Sequence, residues 1–226
     1  MPPPLEPGAI HVWRIDLDPS DARLDERSRS LSADERARAD RFRLPLLRRR
    51  FAAGRGALRA VLAGYLGVGA GDVAFAYGDH GKPRLARDSG GVEFNLAHSH
   101  GVGLCAVTAA RAVGVDVEQI RPIGEAGRII GRYFTPAEQA EYLGHPEPER
   151  DEAFFRGWTR KEAFLKATGK GIAGGLDSFE VALGVSGPLL RRVGGDPDEA
   201  GRWSLLDVDA GPGFLGVSPC PAESRA

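Results

Sequence analysis

The sequence predicts an α+β protein made of two similar-sized subdomains, and three observations support this fold class. Runs with helical spacing of apolar residues occur together with short β-type runs in both halves of the chain. The length of 226 residues fits two subdomains of roughly 100 residues each. A strand-like apolar run follows the small-residue connector "TAARA", so we place the boundary between residues 1–111 and 112–226.

The first half is predicted to contain two helices and several strands. Ser32, with Glu35 three residues later, forms a capping-box pattern, which predicts that a helix over 31–42 begins there. A stripe of apolar residues at helical spacing predicts a longer helix over 48–67. A strand is predicted over 9–17, another that runs into a Gly/Pro turn within 73–85, and two more within 92–109 around a polar break at 98–100.

The second half is predicted to alternate in the same way. A helical region near 125–143 contains the capped segment "TPAEQAEYL", and a further helix covers the segment "GWTRKEAFLKATGKGI" at 157–172. The Pro- and Glu-rich segment "GHPEPERDE" between them indicates a loop, and the final "SPCPAESRA" indicates a tail. Strands are predicted over 112–120, 179–183, 203–208 and 213–217.

Composition excludes several classes of function. With 30 basic and 31 acidic residues the net charge is -1, so no overall field favours nucleic acid or an anionic membrane. Two cysteines without metal-ligand spacing argue against a zinc site and a disulfide framework. The start lacks a signal-peptide pattern, and no apolar stretch reaches about 18 residues. We therefore expect a soluble, reduced, cytoplasmic protein.

Two carboxylates in "GVDVE" lie two residues apart on a predicted strand. Asp116 and Glu118 therefore point to the same face of that strand and could form half of a site for a hard cation. The alternative is a strand end with two solvated acids. Spacing alone favours this alternative.

The helix predicted over 157–172 carries an acid among basic residues. Trp158, Glu162 and Lys166 share one face, which an ordinary amphipathic helix with Glu–Lys pairs would also explain. That reading does not explain the "GKG" that follows, a flexible cationic turn suited to a bulky anion. Three converging carboxylates need a cation, and oxygen ligands suit Mg2+. The combination predicts a metal–pyrophosphate site and phosphoryl-type transfer.

The separated segments resemble one family. "GVDVE" followed by "WTRKEAFLKATGKG" is similar to the paired signature of the phosphopantetheinyl transferases, (V/I)G(V/I)D…(W/F)(S/T/C)xKE(A/S)xxK. "GKP" and "FNLAHS" upstream are similar to further motifs of that family, in the same order, and "LSADERARADRF" fits its N-terminal helices. The length resembles the Sfp type, which joins two units in one chain, and this implies two subdomains related by pseudo-twofold symmetry.

The resemblance implies a metal and catalytic site in the C-terminal subdomain, 112–226. Asp116 and Glu162 would bind the metal, with Glu118 as a third ligand, directly or through water. Glu162 is also the implied base for the incoming serine, and Lys166 the implied contact to the diphosphate.

The resemblance assigns the coenzyme A nucleotide and carrier docking to the N-terminal subdomain, 1–111. His98 would bind a coenzyme A phosphate and belong to the catalytic set, and Lys82 would reach the 3′-phosphate. Arg38 and Arg50 would assist there. Ala97 replaces a common serine, which removes one hydroxyl near the nucleotide. Further candidates are Lys161 and Glu138 at the site, and Arg48 and Arg49 for docking.

The implied activity is a Mg2+-dependent transfer, with Mn2+ as the alternative metal. The phosphopantetheine group of coenzyme A would move to a serine of an apo acyl or peptidyl carrier protein, and 3′,5′-ADP would leave. We expect a monomer that binds neither nucleic acid nor membrane. Two alternatives are a coenzyme A pyrophosphate hydrolase and a non-catalytic protein that binds coenzyme A or a carrier protein.

Overall fold

A computed structural model describes residues 2–78, 83–86, 89–169, 175–187 and 189–222 of the chain. The chain divides into two compact units, Met1–Arg111 and Ala112–Ala226, named here the N-terminal and C-terminal units. Each unit contains sheets and helices, which confirms the predicted α+β class with two similar halves.

Along the chain of the N-terminal unit, three helices follow the first strand and precede the other four strands. The helices are α1 (Asp21–Arg29), α2 (Ala33–Asp40) and α3 (Pro45–Leu66), and the strands are β1 (His11–Asp16), β2 (Phe75–Tyr77), β3 (Pro83–Leu85), β4 (Val92–Ser99) and β5 (Val102–Ala109). The main sheet is antiparallel in the order β1-β5-β4, and β2 pairs with β3. Its central strand is buried, and α3 packs on the sheet, with Leu58, Leu62, Phe94 and Val107 in the core.

The C-terminal unit has the same order of element types. Its helices are α4 (Ala126–Tyr133), α5 (Pro136–Gly144) and α6 (Arg150–Thr168), and its strands are β6 (Asp116–Gln119), β7 (Phe179–Val181), β8 (Leu190–Val193), β9 (Trp203–Val208) and β10 (Phe214–Pro221). Its main sheet is antiparallel in the order β6-β10-β9. Helix α6 packs on this sheet through Phe154, Phe155 and Phe164. Over the described ranges, no helix combines the length and apolar character needed to cross a membrane.

The two units repeat one connectivity although their sequences show no clean repeat. In each unit the first strand pairs with the last strand, and the last strand also pairs with the one before it. In each unit the third helix is the longest and lies against this sheet. Different apolar residues of suitable volume can fill equivalent cores, so a shared topology does not require a shared sequence.

Several elements differ from the sequence-based predictions. Helix α1 was not predicted because none of its residues is buried, so it has no apolar stripe; it packs against α3, where Gly56 lies close to Arg27. Strand β8 was not predicted either. The segment predicted as a tail belongs to β10 as far as Pro221, and Ser218 and Cys220 within it are buried. His98 lies in strand β4 instead of in a break, which falls at His100 and Gly101.

Gly114 is the point at which helix α6 comes closest to the start of β6. A Cβ atom on Gly114 would lie 2.1 Å from the carbonyl oxygen of Ala163 and 2.7 Å from the backbone nitrogen of Ala167. The backbone of Gly114 is also fixed by β10, because its N–H donates to the Pro219 carbonyl at 3.1 Å and its carbonyl accepts from Ser218 Oγ at 2.9 Å. Only glycine fits here, and its fit decides how α6 lies against β6.

We expect Gly114→Ala to destabilise the protein by at least about 2 kcal/mol, because the added methyl group would push α6 away from β6. Thermal unfolding of the variant and the wild type measures this. Gly131→Ala is the matched control, since nothing lies within 4 Å of the Cβ position on that α4 glycine. Alanine is expected to preserve or raise stability at position 131. Equal melting temperatures for the Gly114→Ala variant and the wild type would contradict the close approach.

Candidate functional site

An acid–base cluster lies in the C-terminal unit where β6 meets α6. Asp116 on β6 is buried, and its Oδ1 accepts a hydrogen bond from Lys166 Nζ at 2.5 Å. Its Oδ2 is buried and has no hydrogen-bond partner among the described residues, and the same holds for Oε1 of Glu162 on α6. Glu118 lies close enough for its charge to act on both carboxylates. The structure thus brings Asp116, Glu118, Glu162 and Lys166 together.

Burial makes this cluster unfavourable for negative charge. Burial raises the pKa of Asp116 to about 7 although Lys166 acts to lower it, and the neighbouring Glu118 and Glu162 raise it further. Burial is also the main cause that raises the pKa of Glu162, again against the effect of Lys166. Glu118 has Arg121 at 3.8 Å, so the one ammonium of Lys166 is left to balance the two carboxylates Asp116 and Glu162, and the cluster favours a further cation.

The cluster fits a metal ion whose coordination shell also contains ligands from water and substrate. No three His, Cys, Asp or Glu side chains within the described ranges are grouped so that they could hold a metal alone. Mg2+ commonly takes only one or two carboxylates and fills its shell with water and substrate phosphates. The unpaired oxygens of Asp116 and Glu162 suit this mode. A direct third ligand from Glu118 stays a prediction.

Lys161 does not join the cluster, which corrects its assignment to coenzyme A. Its side chain is fully buried, and its ammonium pairs with Glu138 at 2.8 Å. It also donates to the carbonyl oxygens of Leu176 and Phe179, at 2.6 and 2.9 Å. Burial lowers the pKa of Lys161. Every donor is directed into the protein interior, so Lys161 and Glu138 stabilise the C-terminal unit and cannot reach a ligand in this arrangement.

The N-terminal unit contains a basic cavity of about 330 Å3. Three of the predicted nucleotide-binding residues line it, namely Arg38, Arg50 and His98. The described lining also includes Arg55 and His100, several aromatic and aliphatic side chains, and no carboxylate. Cationic groups beside apolar rings suit a ligand that combines phosphate with a flat base. Lys82 lies outside the described residues, although Pro83, the next residue in the chain, lines the cavity.

The basic groups of the cavity are held by acids that sequence reasoning missed. Asp18 accepts two hydrogen bonds from the Arg50 guanidinium, at 2.8 and 2.7 Å, and these bonds lower the pKa of Asp18. Glu35 accepts from Arg55 Nε at 2.7 Å while also bonding the Ser32 N–H at 2.9 Å. Arg38 lies over the Phe51 ring, 5.5 Å from its centre. No sequence motif marks Asp18.

The two arginines predicted for docking are exposed near the start of α3. Arg48 pairs with Asp40 at 2.5 Å, and Arg49 pairs with Asp21 at 2.7 Å. Their charges are partly balanced by these acids, and pairs exposed to water contribute little to stability. Both guanidinium groups therefore stay accessible, and an acidic partner could replace Asp40 and Asp21 with little loss of stability.

We expect the stability gained by Asp116→Asn in metal-free protein to grow between about pH 4 and about pH 7 and to stay constant above that. The folded-state pKa is raised from 3.8 to about 7, so Asp116 costs nothing below the lower value and its full penalty appears above the higher one. The change in the free energy of unfolding is on the order of a few kcal/mol. Melting temperatures over this pH range measure it. Asp25→Asn, at an exposed position on α1, is the control, and an identical pH trend in both variants would contradict the prediction.

Comparison with known proteins identifies the family. A sequence model described as the 4'-phosphopantetheinyl transferase superfamily matches residues 112–208. The 4'-phosphopantetheinyl transferase HetI of Nostoc sp. is 44% identical over 201 residues, which cover 88% of this chain and 82% of HetI. The transferase psf-1 of Bacillus pumilus is 35% identical over 189 residues, 81% of this chain and 79% of psf-1.

A more distant relative agrees with these two. The 4'-phosphopantetheinyl transferase Sfp of Bacillus subtilis is 28% identical over 166 residues, 74% of this chain and 70% of Sfp. The identity with HetI and psf-1 extends over most of each sequence and so covers both units of the present fold. The chain therefore belongs to the 4'-phosphopantetheinyl transferase family, as an enzyme of the Sfp type, the class that activates carrier proteins.

Proposed function

We propose that the chain transfers the 4'-phosphopantetheine group of coenzyme A to a serine of an apo acyl or peptidyl carrier protein and releases 3',5'-ADP. The observation that carries this proposal is the cluster at the start of β6, where two buried carboxylate oxygens beside the ammonium of Lys166 have no hydrogen-bond partner among the described residues. Phosphoryl transfer needs positive charge at the phosphate oxygens and a base for the incoming hydroxyl. The cluster contains groups of both kinds.

Asp116 and Glu162 would hold Mg2+, with Glu118 as a further ligand directly or through water, and Mn2+ as the alternative metal. Their unpaired oxygens and their shortage of counter-charge support this assignment. When bound, the metal would neutralise charge on the pyrophosphate oxygens. The carboxylates of the chain would fix its place relative to α6 and β6.

The serine Oγ forms the new bond to the β-phosphorus of coenzyme A. The bond from that phosphorus to the bridging oxygen breaks, and 3',5'-ADP leaves with the bridging oxygen and the electron pair. Glu162 is the residue proposed to take the serine proton. Lys166, whose side chain is 31% exposed, contacts the diphosphate through its ammonium group and stabilises charge on the leaving group.

The nucleotide end of coenzyme A is assigned to the cavity of the N-terminal unit. Arg38, Arg50, His98 and Lys82 would bind its phosphates, and the apolar rings of the lining suit the adenine base. Arg48 and Arg49 would dock an acidic surface of the carrier protein. We propose a monomer, because a single chain already contains two similar α+β units.

Intact-mass spectrometry of an apo carrier protein tests the proposal directly. With coenzyme A and Mg2+, we expect the carrier to gain the mass of one phosphopantetheine group and EDTA to abolish the gain. Glu162→Gln should slow transfer by about 100-fold or more, because it removes a base and a metal ligand. Glu147→Gln, an exposed substitution outside the cluster, is the control and should transfer normally.

Two results would replace the proposal with another function. Release of 3',5'-ADP without mass gain on acyl, aryl or peptidyl carriers would indicate a coenzyme A pyrophosphate hydrolase. Binding of coenzyme A without either product would indicate a non-catalytic binding protein.

A further inference from the structure

The turn between β4 and β5 has a backbone conformation that its sequence does not favour. His100 has a φ of +51°, a left-handed value that non-glycine residues rarely adopt. The turn is tight, because Ser99 pairs with Val102 and only His100 and Gly101 lie between them. Turns of this kind favour glycine at the first central position when φ is positive there. The glycine instead occupies the second position, so His100 adopts the strained conformation.

Contacts below the turn explain why the glycine is at position 101. The N–H of Leu17 donates to the Gly101 carbonyl at 2.9 Å. A Cβ atom on Gly101 would lie 2.6 Å from Oδ2 of Asp18, the residue that binds Arg50. A larger residue at 101 would therefore displace the pair that holds Arg50. A glycine at position 100 would adopt the positive φ without strain.

The His100 side chain does not compensate for this strain by packing. It is exposed, and Ser99 Oγ, 3.3 Å from its Nδ1, is the hydrogen-bond partner described for it. Its Nε2 has no hydrogen-bond partner within the described part of the chain. The ring nevertheless lines the basic cavity together with His98, Arg38 and Arg50. Backbone strain kept at a position that faces a cavity is a reason to look for a role in binding.

Two arginines of the cavity are already bonded to acids of the protein, so a further hydrogen-bond donor would add to the binding of an anion. Arg50 already donates twice to Asp18, and Arg55 is paired with the buried Glu35. These acids cancel part of the positive charge that the lining suggests. An imidazole with an unbonded Nε2 would add a donor to an anionic oxygen without an internal acid to compete for it.

We propose that His100 is a further binding residue of this cavity and donates a hydrogen bond to a phosphate oxygen at the nucleotide end of coenzyme A. The inference rests on the proposed function, since coenzyme A is taken as the ligand of the cavity. The 3'-phosphate and the diphosphate offer the same chemistry to an imidazole, and the experiment below separates them.

The test compares the binding of coenzyme A to the wild type and to His100→Gly by titration calorimetry. The variant should bind coenzyme A about 10-fold more weakly, because it loses one hydrogen bond to a charged group. Its melting temperature should stay the same or rise, because glycine relieves the left-handed backbone. Weaker binding without lost stability is a result that a purely structural role for His100 would not produce.

Two further variants serve as controls. Ala110→Gly relieves the other positive φ found at a described non-glycine residue, +53°, at a position outside the cavity lining, so it should leave coenzyme A binding unchanged. His100→Asn keeps a side chain that tolerates the left-handed conformation and should still bind coenzyme A more weakly than the wild type. It provides the binding measurement if the glycine variant folds poorly.

Titration with 3'-dephospho-coenzyme A identifies the phosphate. If His100 contacts the 3'-phosphate, the wild type and His100→Gly should bind this analogue equally; if it contacts the diphosphate, the variant should bind both ligands more weakly. If the wild type transfers the group and both position-100 variants bind coenzyme A as tightly as the wild type does, the inference is overturned while the proposed function stands. A wild type that neither binds coenzyme A nor transfers the group would overturn the proposed function with it.

Discussion

The contact between helix α6 and Gly114, two residues before the start of β6, is the constraint on which the C-terminal site depends. Gly114 has no side chain, so the backbone of α6 at Ala163 and Ala167 can lie directly against it. Glu162 and Lys166 are adjacent to these two contact positions, and Asp116 lies two residues beyond Gly114. One close backbone approach therefore brings the acids and the lysine together, and β10 holds it in place through Ser218 and Pro219.

Both units support their long helix with the same kind of buried charge pair. In the N-terminal unit, Glu35 from the capping box of α2 binds Arg55 and Arg59 of α3. In the C-terminal unit, Glu138 from the capping box of α5 binds Lys161 of α6. Removing one partner of such a pair leaves an uncompensated buried charge, which commonly costs about 3–5 kcal/mol. The two units thus share their connectivity and also a buried ion pair that joins the second helix of each unit to the third.

Sequence patterns predicted the parts of the fold whose signal is local. The capping box at Ser32 and the apolar stripe of α3 locate their helices correctly, because both depend on neighbouring residues. Helix α1 has no buried residue, so only its packing on α3 explains it. For the site, period-two spacing paired Asp116 with Glu118 and helical spacing paired Glu162 with Lys166, whereas the pairing of Asp116 with Glu162 came from the family resemblance. Lys161 was assigned wrongly because adjacent helical residues point about 100° apart, and burial of the lysine is decided by contacts distant in sequence.

The central claim is that Asp116 and Glu162 hold the metal while Lys166 serves the diphosphate. The most direct test is a crystal structure of the protein with coenzyme A and Mn2+, in which anomalous scattering locates the metal. The account predicts an anomalous peak in contact with both carboxylates, and the Lys166 ammonium at phosphate oxygens instead of at Asp116. A peak that contacts neither carboxylate, or a Lys166 that remains on Asp116 with the diphosphate bound elsewhere, would contradict it.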